Sequence, residues 1–353
     1  MPDISPYDIN SGRTFIPQCV QDHRFHDHGV VYGKSGDLWW AVIDPRRHPL
    51  CVWKRSGNAD DDYARSARAL SAAVFTNGPM MDKFSKWEVR KAFALQMLFD
   101  GINWAVIGAV VGFFLGGPWG ALIGGLAGAV FGFFIGYEAA KEAVFKDWVP
   151  FGRVHGTTHS VDDVGRGFGG LVYLGRTGST LDTYAVGDGN PPQMLEVIGG
   201  TIPIVRHFFP TSATKGAANY YESFESLSQR AGLVAWGIVP IDVDPAGVEV
   251  PRSSDGTPAN ISERVMLKRA DFGDADLSVP GSNEAFQGVL VCVGNAGTAF
   301  MATAGATLAH IGTRDAVALD GSDSVMMGDY AEMMLREPPA AKQLIQKYGF
   351  YTQ

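Results

Sequence analysis

Two stretches of this chain place polar side chains where an apolar strand ends. The first is AAVFT running into Asn77-Gly78-Pro79; the second is DAVA running into Leu319-Asp320-Gly321-Ser322-Asp323-Ser324. A side chain at the end of a buried strand stands on a rigid frame while its tip reaches outward, which suits a binding or acid–base group. Each stretch is also a good turn in its own right, Asn-Gly-Pro as a corner and Asp320 as an Asx-type turn, and neither needs a function to explain it. Both readings stand at this level.

The histidines offer less. His155 and His159 in HGTTH are four apart, but a zinc-binding pair of that spacing needs a helix with a glutamate between them, and Gly-Thr-Thr predicts a turn. His23, His26 and His28, beside Asp22 and Asp27, fall in a polar stretch expected to be an exposed loop, with no frame to bring imidazoles to one point. No metal is expected. The glycines of GRGFGG lack the strand–turn–helix setting of a dinucleotide fingerprint, so no cofactor is expected either. Cys19, Cys51 and Cys292 are odd in number, widely spaced and set in apolar runs, which predicts buried thiols.

The elements that would position these groups read as an α+β fold, a mixed β-sheet with helices. VVYG, DLWWAVIDP and PLCVW are β-prone, NADDDYARSARALSAA (58–73) is helical, and AAVFT is a short buried strand. After Pro150 come short strands and Gly-rich turns, ending in MLEVIGGTIPIVRHFFP. Residues 211–235 read as a helix and 240–285 as irregular; QGVLVCVGN is a strand, AFMATAGATLAHIG a helix, and 336–353 a C-terminal helix.

Between the two corners lies the least ordinary stretch. Ile102 to Tyr137 is thirty-six residues without a charge, and Gly108, Gly112, Gly116, Gly120, Gly124, Gly128, Gly132 and Gly136 recur every fourth residue. Each interior helical glycine costs about 1 kcal/mol relative to alanine in water. In lipid the same spacing makes a smooth ridge on which a second helix lies at backbone contact, a glycine zipper. One straight helix would be about 54 Å long against a hydrocarbon core of about 30 Å, and Gly116-Gly117-Pro118 supplies the break, so a hairpin is predicted. Its arms repeat, GAVVGFFLG against GAVFGFFIG, and Lys83, Lys86, Arg90 and Lys91 precede it where headgroups would lie. A Gly-rich helical pair packed within a soluble assembly is the alternative. The domain reading is 1–81 and 150–335 as two parts of one domain, with 82–149 inserted.

The formal charge of −8, with no basic cluster interleaved with aromatics, argues against nucleic acid as a partner. The first residues, MPDISPYDINSGRTF, carry no Sec-type signal pattern. Insertion from the cytosol or export by a dedicated secretion machine or chaperone is therefore expected.

The order of pieces adds a resemblance. FTNGPMM, then IGGTIPIVR, then strand, helix and ALDGSDS resembles the phosphodiester glycosidase family, whose domains carry Asn-Gly-Gly-Phe-Phe, a Gly-Gly-Pro-Leu-Val segment and Leu-Asp-Gly-Gly-Gly-Ser in that order. Roughly 28–81 and 150–335 are covered. Two glycines of the last loop are replaced here, and the family's Arg-Thr-Ala-Ile-Gly strand corresponds to EAFQG without the arginine. The resemblance implies a hydrolase acting on a glycosyl phosphate or cell-envelope glycan. Such chemistry needs a carboxylate near the anomeric carbon and a group that moves a proton. It implies Asp320 as the carboxylate and His155 as acid or base. Asn77 and Gly78 would contact the sugar, Gly199 and Gly200 would line the site, Gly321, Ser322 and Ser324 would bind phosphate oxygens, and Arg206 would offset charge.

The combined expectation is a membrane-inserting hydrolase, a bacterial effector or toxin, with self-association through the glycine ridge. The rival, of another class, is a non-enzymatic pore-forming or structural protein that retains the glycosidase fold as a scaffold.

Overall fold

Helices and strands both build this α+β molecule, and the two corners lie at the ends of its strands. The computed structural model describes residues 5–55, 67, 69–79, 81, 86–147, 150, 152–164, 172–177, 180–185, 195–206, 208–210, 229–230, 232–241, 267–273, 277, 287–297, 299–321, 324–331, 334–335 and 347–352. They fall into two compact units, one within Met1–Arg55, Tyr63–Met81 and Pro150–Gln353, the other within Ser56–Asp62 and Asp82–Val149.

In the first unit the strands are, in chain order, β1 (Val30–Ser35), β2 (Leu38–Ile43), β3 (Leu50–Lys54), β4 (Val74–Asn77), β5 (Arg153–Gly156), β6 (Val161–Val164), β7 (Val172–Thr177), β8 (Thr180–Ala185) and β9 (Glu196–Arg206). They continue with β10 (Phe209–Pro210), β11 (Gln229–Arg230), β12 (Leu233–Pro240), β13 (Gly288–Asn295), β14 (Ala299–Phe300), β15 (Asp315–Ala318), β16 (Met327–Gly328) and β17 (Tyr348–Thr352). The large sheet runs β1-β2-β13-β12-β15-β9-β5-β6, with β7, β8 and β10 joined through β9; β16-β4-β17-β3 form a second sheet.

The centre of the large sheet is covered on both faces. On one side Leu233, Ala235 and Val239 of β12 join Phe15, Trp40, Val291 and Leu308 in the main core. On the other, Trp236 donates its indole N–H to Thr76 Oγ1 at 3.0 Å and meets the Phe350 ring at 6.1 Å, so the second sheet packs there. A strand enclosed in this way has no polar alternation. LVAWGIVP is accordingly apolar throughout, and the helix expected over 211–235 is corrected at its end, where Gln229–Arg230 and Leu233–Pro240 are strands. Residues 211–228 lie outside the described residues.

Two further expectations are corrected. Among the described residues of the first thirty, the expected exposed loop is replaced by a 3-10 turn at Ile9–Thr14 and helices at Phe15–Gln21 and His23–His28. Phe15, Ile16, Cys19 and Val20 bury one helical face, and Asp22 caps the next helix by accepting from Arg24 N at 2.8 Å while its carboxylate binds the Arg24 guanidinium. His23, His26 and His28 are exposed on that short helix. At the other end, Tyr348–Thr352 is not helix but strand, seated between β3 and β4. Helix formers in AAKQLIQK mask the β-prone YGFYT that follows.

The second unit is dominated by the helix Lys86–Asp147, broken at Gly116 and Gly117 before Pro118. Gly117 has φ +61°, a conformation open to glycine, and Pro118 has no N–H to continue the helix. The two arms therefore fold back on each other. A Cβ on Gly112 would lie 2.0 Å from Gly120 O, one on Gly108 2.0 Å from Gly124 O, one on Gly128 2.0 Å from Trp104 O, and one on Gly132 2.3 Å from Asp100 O. The four-residue spacing is thus used inside one chain, where it brings backbone against backbone. Trp104 on Phe131 and Phe93 on Tyr137 cross between the arms as well.

Outward, the hairpin is apolar. Of twenty-two exposed large hydrophobic side chains among the described residues, twenty lie between Leu95 and Tyr137. The stretch Phe93–Ala140 is long and apolar enough to cross a membrane. Each arm, 93–116 and 118–140, is about 35 Å at the helical rise, enough for a hydrocarbon core of about 30 Å. In the first unit Met81 and Pro150 form an antiparallel bridge, so the chain leaves and re-enters that unit at adjacent points.

The register of the arms is directly testable. A Cβ at position 125 would stand 3.4 Å from Ala109 Cβ, within disulfide range. The double variant Ala109→Cys, Gly125→Cys is expected to form an intramolecular bond on mild oxidation, seen as a reducible gel shift of the monomer. Adding Gly112→Leu should suppress it; a bond that forms only between chains would contradict the hairpin.

Candidate active site

Strand β4 ends at Asn77, which is fully buried. Its backbone N–H donates to Met326 O at 3.3 Å, and its side-chain Oδ1 accepts from Met326 N at 3.1 Å. The amide nitrogen donates to Asp320 O at 2.7 Å and to Gly78 O at 3.3 Å. Asp320 N in turn donates to Gly78 O at 3.2 Å. The two corners marked in the sequence, 243 positions apart, are therefore one structural unit.

Gly78 is required there by contact: a Cβ would fall 2.2 Å from Tyr348 O. From the other side, Leu319 N donates to Val234 O at 2.9 Å, which ties the end of β15 to β12. Asp320 follows, half-buried, its Oδ1 accepting from Gly321 N at 2.9 Å, and Ser324 N closes the turn on Gly321 O at 3.3 Å. Asp320 is thus both an Asx-type corner and a carboxylate at the end of a buried strand. Ser324 is fully buried, and its Oγ has no hydrogen-bond partner. A buried hydroxyl left in that state is costly. Ser322 lies outside the described residues.

The other sequence candidates are distributed. Ala318 pairs with Ile202 of β9, so Gly199 and Gly200 follow on the Asp320 side of that pairing. His155 lies on β5, one strand beyond β9, opposite Val197. Its Nδ1 is 3.2 Å from Asp162 Oδ1, which Arg153 Nη2 also reaches at 3.2 Å, and these two partners hold the Asp162 carboxyl below its usual range. Arg206 does not join the corners. It reaches Asp315 at 3.6 Å at the start of β15, and Asp320 is five residues further on, roughly 15 Å along the strand. Arg206, expected to offset charge at the site, thus has its ion-pair contact at the other end of β15 from Asp320. Asn77, expected to contact the sugar, has its side-chain amide bonded to the backbone of Asp320, Gly78 and Met326.

Glu196 went unmarked in the sequence. It is fully buried, with Oε2 accepting from Val52 N at 2.8 Å and Oε1 from the backbone and hydroxyls of Thr157 and Thr158, each at 2.9 Å. The HGTTH turn is thus a clasp around one carboxylate. A lone acid opening an apolar strand, EVIGG, was the available signal.

No family model matches the chain, and no curated protein matches it by sequence. Among solved structures it is similar to the catalytic domain of zebrafish N-acetylglucosamine-1-phosphodiester alpha-N-acetylglucosaminidase, auto-inhibited by its pro-peptide, at 10% identity, over 92% of this chain and 82% of that one, with a TM-score of 0.45. It is similar also to a hypothetical protein from Synechocystis at 9% identity, over 92% of this chain and 62% of that one, with a TM-score of 0.40. Both likenesses are distant, and neither assigns a residue or an activity to this chain.

The bridging role of Asn77 carries an expected cost. Asn77→Ala leaves Met326 N–H without its acceptor and should lose about 2–4 kcal/mol in urea unfolding. Asn77→Asp, which turns a second oxygen toward the carbonyls of Asp320 and Gly78, should lose more at neutral pH than the alanine variant.

Proposed function

We propose that this chain is a phosphodiester-glycosidase-like hydrolase held in a membrane by its glycine-zipper hairpin and acting on a glycosyl phosphate or cell-envelope glycan. The observation that supports this reading is the joining of the Asn-Gly and Asp-Gly-Ser corners through Asn77 and the Asp320 carbonyl, 2.7 Å apart. On this reading the Asp320 carboxylate faces the anomeric carbon as positive charge develops in the transition state. The Ser324 hydroxyl, Ser322 and the Gly321 backbone receive phosphate oxygens, while Gly78, Gly199 and Gly200 let substrate approach the backbone. His155 is the candidate for proton transfer to the leaving group.

The hairpin supplies the membrane half of the proposal. Its outer face carries the apolar side chains and its inner face the glycines, which is the arrangement expected of a lipid-facing pair. An exported bacterial effector or toxin is the setting in which such a hairpin beside a hydrolase would act. The same outer surface favours the second reading, a non-enzymatic pore-forming or structural protein, in which the first unit is a scaffold and the hairpin does the work.

The full chain, purified in detergent, separates the two. Glycosyl phosphodiesters and envelope glycans should be hydrolysed by the wild type, and Asp320→Asn should lower kcat by about 10²-fold or more while leaving Tm in place. Gly112→Leu should keep hydrolysis in detergent and lose insertion into vesicles. Vesicle leakage that is unchanged in Asp320→Asn, with no hydrolysis by the wild type, would establish the second reading instead.

A further inference from the structure

The apolar run of the hairpin is interrupted on one arm. Between Lys91 and Glu138 the only charged residue is Asp100. Unlike its exposed neighbours Leu98, Phe99 and Ile102, Asp100 is half-buried, in the row with Phe93, Gln96, Met97 and Trp104 that meets the other arm. Its Oδ2 accepts from Gln96 Nε2 at 2.8 Å. The opposite arm presents Gly132 and Phe133 at this level, and Gly136 lies against Gln96 and Met97. Tyr137 and Glu138 follow Gly136, and Arg90 and Lys91 precede the first arm's apolar part. Every other titratable group of the two arms therefore stands nearer the open end of the hairpin than Asp100 does.

Asp100 divides the first arm by length. From Gly101 to Gly116 the helix rises about 24 Å, short of a hydrocarbon core of about 30 Å, whereas from Phe93 it rises about 35 Å and exceeds it. The second arm has no such limit, since Pro118 to Tyr137 is about 30 Å without a charge. Nor does the apex carry a charge: Phe114, Leu115 and Trp119 are the most exposed large apolar side chains among the described residues. Such an apex enters lipid from one side with no charge carried across. A carboxylate moved into hydrocarbon is costly when ionised and far less so as the neutral acid.

We propose that the hairpin enters a lipid bilayer apex first and that Asp100 sets how far it goes. With the carboxylate ionised, Asp100 rests at the near headgroups and the apex stops inside the far leaflet. With the carboxylate protonated and still bonded to Gln96, the arms advance by about two turns. The apex with Trp119 then reaches the far headgroups, and the exposed Arg90 and Lys91 come to the near ones. The inference rests on the membrane half of the proposed function and makes no use of the Asp320 corner.

The full chain carrying Leu115→Cys, with a fluorophore on that thiol, is reconstituted into phosphatidylcholine vesicles with iodide on both sides, so that leakage has no bearing. Cys19, Cys51 and Cys292 are buried and leave the label to the apex. At neutral pH the fluorophore is expected to be shielded from iodide, and at about pH 4, within the ordinary carboxylate range, its quenching should be several-fold steeper. Asp100→Asn should be quenched already at neutral pH, Asp100→Glu should keep the pH response, and Glu138→Gln should leave it unchanged. Flotation after an alkaline wash reports insertion itself for each sample. Chains that do not float refute the membrane reading and this inference with it. Chains that float but show equal quenching in wild type and Asp100→Asn at neutral pH, or a wild type without a pH response, overturn the role of Asp100 and leave the membrane reading standing.

Discussion

The Asn77 side chain is the fastening on which the first unit depends. Its amide and carbonyl reach Asp320, Gly78 and Met326, so the end of β4, the corner after β15 and the approach to β16 are set by one residue. A buried amide whose groups are all paired contributes several hydrogen bonds and fixes the segments it joins. The Asp320 carboxylate inherits its position from that fixed backbone, and Gly78 allows the approach because any larger residue would collide with Tyr348 O.

This closure constrains what lies between. The chain leaves at Met81 and resumes at Pro150, and these two residues pair directly. An insertion compatible with such a junction must return to where it started, which a hairpin does and a single helix does not. The glycines meet that need at a cost of about 1 kcal/mol each in helix propensity, offset by the close contact of two backbones along the whole length of the arms. Gly108, Gly112, Gly120, Gly124, Gly128, Gly132 and Gly136 all face the opposite arm, while the phenylalanine, leucine and valine side chains lie outward.

The parts legible in the sequence were those with a local cause. Charge-free length, glycines every fourth residue and Gly116-Gly117-Pro118 define two helical arms and their break without reference to the rest of the molecule. The corners at Asn77 and Asp320 could be seen as strand ends. What those residues do there could not, since the partners of Asn77 lie some 243 positions away and a side-chain amide reads the same whether it holds a sugar or a backbone carbonyl. Nor could the sequence say at which end of β15 Arg206 would lie. β12 was hidden because both faces of the sheet are covered, so LVAWGIVP has no alternation to read, and β17 was hidden behind the helix formers that precede it.

The central claim is that the Asn-Gly and Asp-Gly-Ser corners form one substrate site. Hydrogen exchange of the full-length Asp320→Asn protein, with and without a glycosyl phosphodiester, tests it most directly, because substrate can bind there without turnover. The account predicts slower exchange in peptides covering 77–79 and 319–325 together, at the same substrate concentration. Protection in only one of the two corners, or in neither while another region responds, would contradict it.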